Sequence, residues 1–303
     1  MRATHGSIEN SAVDYSKHFI PEPFSPLFYT AAYAELTEEQ RLCYNQLHGC
    51  YCNEQIMFLE RSVADPVLEA LLQSALAHAM AGELRTFLDE ERQHTEMLRD
   101  LNRRCMPQLY SQSDFYFLAL PRGVAWLLAR VAGQPRFFPL FIWLMFLEEE
   151  RAVFFGREII RQKEELEPHF VSTHRLHLAD EIEHVKWDQE TLTWLWPRTA
   201  PALRTMNARL LRWIIGEFFT APKRANLRVV EQLVREFPDL RLRLPEMRNQ
   251  LVSLRENEQW NRFLHSRTVI PKTISDFARW PEFDCLNDLF PDFTRKSTNN
   301  DAQ

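Results

Sequence analysis

Two short stretches, Glu91-Arg92-Gln93-His94 and Glu181-Ile182-Glu183-His184, share a pattern in which a histidine follows a glutamate by three residues. In an α-helix, side chains three residues apart lie on one face. One such pair is weak evidence, because glutamate and histidine are both tolerated on solvated helix surfaces. Two pairs in one chain require a common explanation, and the residues upstream of each pair supply it.

The second pair belongs to a repeat with a constant shift of 90 residues. Glu60 precedes Glu91 by 31 residues, and Glu150 precedes Glu181 by the same interval. A short turn would place each upstream glutamate on a helix antiparallel to the one that carries its partner. The matching positions are Glu60, Glu91 and His94 in the first half and Glu150, Glu181 and His184 in the second.

Composition and turn signals favour helices. Only seven glycines occur in 303 residues, and long stretches are rich in good helix formers. Thr37 and Gln40 form a capping box, which predicts a helix from there to about Ser62. Asp65-Pro66 signals the next helix start, and no breaker follows before Pro107.

Two more long helices are predicted after a linker at about 107–121. A short apolar helix ends near Gly133, and a long helix then runs from Pro135 to about Glu165. Another begins at Pro168 and stops before Pro197, since the residue before a proline is disfavoured in a helix. The four long helices are predicted to pack as a bundle.

Such a bundle would bring the repeated residues to one place. Two iron ions held close together need several carboxylates to balance their charge, and imidazoles complete each coordination sphere. In di-iron carboxylate bundles, two helices each supply a glutamate and the other two each supply an ExxH pair. The pattern therefore predicts a di-iron site, and manganese could replace one iron because these ligands suit both metals.

The upstream glutamates follow apolar sequence, where a charge must be paired or bound to a metal. Glu60 follows four apolar residues, and Glu150 lies just beyond the apolar run 137–147. Because Glu148, Glu149 and Glu150 are consecutive, at least one of them is expected at the surface. The 90-residue shift selects Glu150 as the ligand, with Glu149 as the alternative.

His177 is a further candidate, because it lies one turn before Glu181 and shares a stripe with His184. Alone, it would be an ordinary polar helix residue beside His174. With these residues in place, the sequence resembles the p-aminobenzoate N-oxygenase family of ferritin-like di-iron enzymes. The pattern of that family is two E…[DE]ExxH repeats and an added histidine one turn before the second ExxH glutamate. The resemblance covers about residues 37–196.

The resemblance implies seven metal ligands: Glu60, Glu91, His94, Glu150, His177, Glu181 and His184. It implies that dioxygen and an external electron donor are used to oxidise the amine of a small molecule, as in secondary metabolism, towards a hydroxylamine, nitroso or nitro product. No catalytic side chain beyond the metal centre and no organic cofactor is expected. Glu90 and Asp180, which precede the two ExxH glutamates, could each hydrogen-bond a ligand imidazole and fix its tautomer. A surface position is equally open for Glu90.

Two other functions fit the same centre. One is a di-iron hydroxylase or desaturase acting at carbon, and the other is a ferritin-like iron-binding protein without oxygenase activity. The presence of His177 favours oxidation at nitrogen, because carbon-oxidising relatives generally lack this residue. The long C-terminal region argues against a storage ferritin. Arg92 and Arg157 could hold a substrate carboxylate or form surface salt bridges.

We therefore predict an all-α protein, with a ferritin-like four-helix bundle at 37–196 inside one domain, 1–303. Residues 1–35 are expected to wrap the surface of the bundle. Residues 197–290 are expected to form shorter helices, with breaks at Pro222, Pro238, Pro245 and Pro271, that add packing, a lid or a dimer surface. The polar tail 295–303 is predicted to be disordered.

Charge and hydropathy exclude other classes. The chain has 36 Lys and Arg against 42 Asp and Glu, evenly spread, so no nucleic-acid partner is expected. The apolar run 137–147 is interrupted by Pro139 and is too short to cross a bilayer. Residues 1–25 carry no secretory signal. We expect a cytoplasmic protein with no membrane partner, present as a monomer or a homodimer.

Overall fold

The computed structural model describes residues 11–119, 121–220 and 224–293, and the polar tail lies outside these ranges. Within them the chain is helical and contains no β-strand, as predicted. No helix in the described ranges is long and apolar enough to cross a membrane.

Helix α1, Glu38–Leu59, begins at the predicted capping box. The backbone N–H of Gln40 donates to Thr37 Oγ1 at 3.2 Å, and the N–H of Thr37 donates to Gln40 Oε1 at 3.0 Å. This reciprocal pair satisfies two of the N–H groups that a helix start leaves free.

The sequence predicted that this helix ends near Ser62, but the helical structure continues past that residue. It passes through one π-helical turn, Glu60–Ala64, and continues as α2, Asp65–Leu72. In a regular α-helix, the ring of Pro66 would clash with the carbonyl of Ser62, four residues earlier. The wider π-turn immediately before Pro66 relieves this clash, so proline marks a change of helix type rather than an end.

The prediction of one unbroken helix from Asp65 to Pro107 is wrong. A turn at 73–76 separates α2 from α3, Ala77–Cys105. Ser74 makes this turn, because its hydroxyl donates to the Leu71 carbonyl at 2.7 Å and accepts from the Leu76 N–H at 3.2 Å. Side-chain bonds of this kind compete with the helix ladder, and no glycine or proline marks them in the sequence.

The second half begins with the short helix α4, Arg122–Ala132, followed by α5, Leu140–Arg161, and α6, Pro168–Leu195. Helix α5 starts five residues later than predicted, because Pro139 rather than Pro135 precedes its first turn. Helix α6 has the predicted limits.

Helices α1, α3, α5 and α6 form the bundle. The turn at 73–76 makes α3 antiparallel to α1, and the turn at 162–167 makes α6 antiparallel to α5. Helix α3 packs against both α1 and α6, and α5 packs along α6. This is the predicted ferritin-like arrangement.

The C-terminal region consists of shorter helices, as predicted, although Pro222 lies outside the described residues. They are α7 Pro201–Ile214, α8 Arg224–Glu236, α9 Leu244–Ser253, α10 Glu258–His265 and α11 Pro271–Phe277. A π-turn, Ile215–Thr220, extends α7. Helix α8 packs on α1, whereas α7 and α11 pack on α5. The region therefore covers the side of the bundle on which α1 and α5 lie.

The N-terminal segment is more than a surface wrap. Phe19 is fully buried and stacks on Phe170 of α6, with ring centroids 4.4 Å apart. Gly49 of α1 permits this approach, because a Cβ there would lie 2.9 Å from the Cβ of Phe19. The segment thus ties α1 to α6 across one end of the bundle.

Candidate metal centre

Six of the seven predicted ligands meet inside the bundle, between α1, α3 and α6. The ligand atoms of Glu91, His94, Glu181 and His184 all lie within 4.8 Å of one another. Glu60 and His177 form a second such group with His94. Each of the six residues is at most 5% exposed. Two overlapping groups that share a histidine are the arrangement expected around two neighbouring ions.

The two halves of the repeat interlock at this centre. His184 of α6 places Nδ1 3.1 Å from Glu91 Oε1 of α3, and His94 of α3 places Nδ1 3.3 Å from Glu181 Oε1 of α6. His177 Nε2 lies 2.8 Å from Glu181 Oε1 and 3.5 Å from Glu60 Oε1. Each ExxH pair therefore meets the glutamate of the other.

The acids that precede the ExxH glutamates also cross between the helices. Asp180 Oδ2 lies 3.1 Å from His94 Nε2, and Glu90 Oε2 lies 3.0 Å from His184 Nε2. A carboxylate at Nε2 favours the tautomer that carries its proton there, which leaves Nδ1 as a lone-pair donor. Both Nδ1 atoms face the glutamate cluster.

The structure places Glu150, the ligand preferred from the sequence, away from the centre. Glu150 accepts the backbone N–H groups of Lys272 at 2.9 Å and Thr273 at 2.6 Å, and so caps the start of α11. Glu149 instead faces the centre, with Oε2 4.0 Å from His184 Nδ1. Successive helical residues point about 100° apart, so one helix cannot aim both carboxylates at one site.

Several buried oxygen and nitrogen atoms that could bind a metal ion at the centre have no hydrogen-bond partner among the described residues. They are Glu60 Oε1, Glu91 Oε1, Glu181 Oε2, His94 Nδ1 and His184 Nδ1. The second oxygen of Glu60 is satisfied, because Thr95 Oγ1 donates to it at 2.7 Å. Unpartnered buried polar atoms cost about 1–3 kcal/mol each. Atoms that lie close together without hydrogen-bond geometry fit positions around a central cation, and oxygen and imidazole donors suit iron or manganese.

Burial and the close pairing of carboxylates with imidazoles together set the electrostatics of the centre. Burial raises the pKa of the Glu60 and Glu181 carboxyls. Burial also opposes the charge on Glu91, but the imidazoles of His184 and His94 outweigh it and lower the pKa of Glu91 to about 2. Buried carboxylates at such short separations need compensating positive charge, which a pair of divalent ions would provide.

The centre opens onto a cavity that the C-terminal region closes. Glu60, Glu149 and His177 line it from the bundle, whereas Phe219 and Trp260 line it from the C-terminal region. The extra helices therefore form the wall of the cavity that faces the candidate ligands. Sequence alone left this wall undefined.

Neither arginine considered from the sequence lies at the cavity. Arg92 pairs with Asp65 at 3.4 Å and Glu69 at 2.6 Å on the surface, and Arg157 is exposed. Arg151 is the arginine among the described lining residues, and sequence reasoning missed it. Residues 148–151 are all charged, so the sequence does not show which of their side chains face inwards.

A helical bundle whose interior gathers paired glutamates and histidines from two matching halves defines the class of di-metal carboxylate proteins. The family model described as p-aminobenzoate N-oxygenase AurF matches residues 8–264, and the chain therefore belongs to this family of oxygenases. The match extends beyond the resemblance at 37–196 and includes α7 to α9 and most of α10. Comparisons with curated proteins and with solved structures returned no match.

Proposed function

We propose that this chain is a dioxygen-dependent di-iron N-oxygenase that oxidises the amine of a small molecule towards a hydroxylamine, nitroso or nitro product. The observation that carries the proposal is the group of buried, unpartnered oxygen and nitrogen atoms that converge from α1, α3 and α6. Family membership supports the class of reaction.

The proposed ligands are Glu60, Glu91, His94, Glu149, His177, Glu181 and His184. Glu181 would present both of its carboxylate oxygens to the metals, because its Oε1 faces His94 and His177 and its Oε2 lies 3.5 Å from His184 Nδ1. The three histidines and Glu60 and Glu149 would complete the two coordination spheres. When bound and reduced, the iron pair supplies the activation of dioxygen.

The residues of the chain itself orient the metal ligands, position the amine and exclude water. Glu90 and Asp180 hold the Nε2 protons of His184 and His94, so that both rings keep their lone pairs towards the centre. The apolar cavity walls would hold an amine beside the ligands and keep bulk water away. The proposed reaction also needs electrons to reduce dioxygen, and an external electron donor would supply them.

Two observations favour this function over its rivals. A substrate-sized cavity that opens directly on the ligands supports an enzyme over an iron-storage protein. His177 lies beside both Glu60 and Glu181 and adds a third imidazole to the set, as in the family pattern, which supports nitrogen rather than carbon as the oxidised atom.

The test is product analysis with isotope-labelled dioxygen. The protein is loaded with ferrous iron without oxygen, supplied with a chemical reductant and a panel of aromatic amines, and then exposed to the labelled gas. We expect label on the nitrogen of a product. Label on carbon alone would support the hydroxylase, and iron uptake without any oxygenated product would support the iron-binding protein.

A further inference from the structure

Helix α4 carries apolar side chains towards the bundle and towards solvent. Leu128 and Val131 are partly buried and pack against the hydrophobic core. Val124, Trp126 and Leu127 are instead 50%, 65% and 54% exposed. A helix that is apolar all round is normally buried on every side, and exposed apolar side chains that cluster mark interaction sites. The outward side of α4 therefore has the character of a surface that a partner covers.

The same part of the sequence is basic, although the chain as a whole is acidic. Residues 115–147 contain three arginines and no acidic residue, whereas the formal charge of the whole chain is −6 at pH 7. Arg130 and Arg136 are exposed, and within the part of the chain that the structure describes neither forms an ion pair. Other surface arginines, such as Arg92 and Arg161, pair with acids. An acidic partner would be repelled by the net charge and attracted to this segment.

Helix α4 packs directly on the π-turn Glu60–Ala64, which carries the candidate ligand Glu60. Packed helices lie about 8–10 Å apart, so a protein bound on the outside of α4 has a single helix between itself and this turn. Electron transfer slows steeply with distance, and the position therefore suits a protein that delivers electrons to the centre. No described residue of α4 lines the cavity, so such a partner would leave the cavity to the substrate.

Two other occupants fit these observations less well. A second copy of the chain, related by a two-fold axis, would bring two basic segments together with no acid at 115–147 to pair them. A helix that lies on a bilayer presents a strongly charged face opposite its apolar one. The side of α4 that faces away from solvent is instead apolar and packed on the bundle.

We propose that the α4 face, formed by Val124, Trp126, Leu127 and Arg130, is the docking surface for an acidic carrier protein that reduces the proposed iron pair. At each encounter the carrier loses one electron and one ferric ion becomes ferrous, so two encounters reduce the pair. The Arg130 guanidinium lies over the Trp126 ring at 5.9 Å, and these two residue types often dominate the binding energy of protein interfaces. The inference rests on the proposed function, which requires an external electron donor.

The experiment uses a plant-type ferredoxin, an acidic carrier of one electron, and the iron-loaded full chain without oxygen. Titration calorimetry at low ionic strength gives the affinity of the two proteins. Stopped-flow absorbance gives the rate at which reduced ferredoxin reduces the ferric chain. We expect both the affinity and the rate to fall as salt is added, because salt screens the attraction between opposite charges.

Two matched double variants locate the docking surface. Leu127→Ser/Arg130→Glu alters the α4 face. Leu242→Ser/Arg241→Glu makes the same changes at exposed residues of the 3-10 turn Pro238–Arg243, which contacts the opposite end of α1. We expect the first variant to weaken binding and slow reduction at least about tenfold relative to the second, although both have the same net charge. Dithionite should reduce both variants at equal rates, because it needs no docking surface.

Several results would overturn the inference. These are equal effects of the two double variants, or no binding of ferredoxin to the unsubstituted chain. Binding to phosphatidylserine vesicles, or self-association in sedimentation, that only the α4 variant loses would assign the α4 face to a bilayer or to a second copy instead. Trp126→Ser provides a second test if the α4 double variant does not fold.

The binding and reduction measurements need no amine, so they separate this inference from the proposed function. Labelled nitrogen products formed with dithionite, together with equal reduction of both variants by ferredoxin, would overturn the inference and leave the N-oxygenase function standing. Reduction that depends on the α4 face, with no labelled product from any amine, would support the docking surface and count against the N-oxygenase.

Discussion

Glu149 and Glu150 are adjacent residues with different roles, and a pair of matched substitutions separates them. Glu149→Gln removes a carboxylate that faces His184, and we expect lower iron occupancy with the helical fold intact. Glu150→Gln weakens the acceptor of two backbone N–H groups at the start of α11, so we expect a loss of about 1–2 kcal/mol in unfolding free energy with iron retained. Iron analysis and urea unfolding measure both effects. Loss of iron in Glu150→Gln but not in Glu149→Gln would contradict the geometry.

The two acids behind the imidazoles should act alike, because they occupy equivalent places in the two halves. Glu90→Ala and Asp180→Ala each remove the carboxylate that faces a histidine Nε2. Loss of such a partner typically weakens metal binding by about 10- to 100-fold. Competition with a chelator reports this affinity. Unchanged iron retention in both variants would show that these acids are only surface charges.

At the scale of elements, Glu54 of α1 fixes the linker between the two halves. Its buried carboxylate accepts the Tyr110 hydroxyl at 2.7 Å and the backbone N–H groups of Tyr116, Phe117 and Leu118. Glu54→Ala leaves these donors buried without an acceptor. We expect a loss of about 3 kcal/mol or more in unfolding free energy.

The control for this prediction is Glu38→Ala, in the exposed first turn of the same helix. It should change stability by less than about 1 kcal/mol. A similar small effect for both variants in urea unfolding would contradict the role given to Glu54.

The sequence predicted elements where a local signal is strong. The capping box at Thr37 and the proline at 168 mark real helix starts. The turn at 73–76 escaped prediction because Ser74 makes it through two side-chain hydrogen bonds, without a glycine or proline. The π-turn at Glu60–Ala64 escaped because Asp65-Pro66 looks like a new start, although the chain only widens its helix there.

The sequence identified the types of residue at the candidate site, but not in every case which of two adjacent residues faces it. Five members of the repeat meet as it implies, and His177 joins them, because a spacing of three or four on a helix fixes the face. The equal intervals that selected Glu150 assume equal turns, whereas one turn spans 73–76 and the other 162–167.

At the scale of the whole molecule, buried neutral histidines should make stability fall in acid. Burial lowers the pKa of His265 to about 3, and the positive charge of Arg151 adds to the effect. The unfolded chain takes up a proton near pH 6.5, whereas the folded chain does not until near pH 3. This contribution is therefore complete above pH 6.5 and is lost as the pH falls below it, by about 2 kcal/mol at pH 5.

His265→Gln tests this linkage. Glutamine cannot take up a proton, and its side chain can still reach the hydroxyl of Thr220, which lies 3.1 Å from His265 Nε2. We expect unfolding free energy to depend less steeply on pH between 6.5 and 5 in the variant than in the unsubstituted chain. Both proteins contain the same proposed metal ligands, so the difference between their pH profiles isolates His265. Parallel pH profiles would contradict the assignment.

Metal should also stabilise the molecule as a whole, because its proposed ligands come from both halves. An ion that binds only the folded chain adds about 4 kcal/mol when free metal is a thousandfold above the dissociation constant. Removal of metal with a chelator should therefore lower the melting temperature, and ferrous iron should restore it. A melting temperature that is insensitive to both treatments would argue against a site shared by the halves.

We propose that the two matching halves of the helical bundle hold a pair of iron ions between them. An anomalous difference map, recorded at the iron edge from a crystal of the iron-loaded chain, tests it most directly. We expect two neighbouring peaks enclosed by Glu60, Glu91, Glu149, Glu181 and the three histidines. A single peak, or iron bound elsewhere with these side chains hydrogen-bonded to one another, would contradict it.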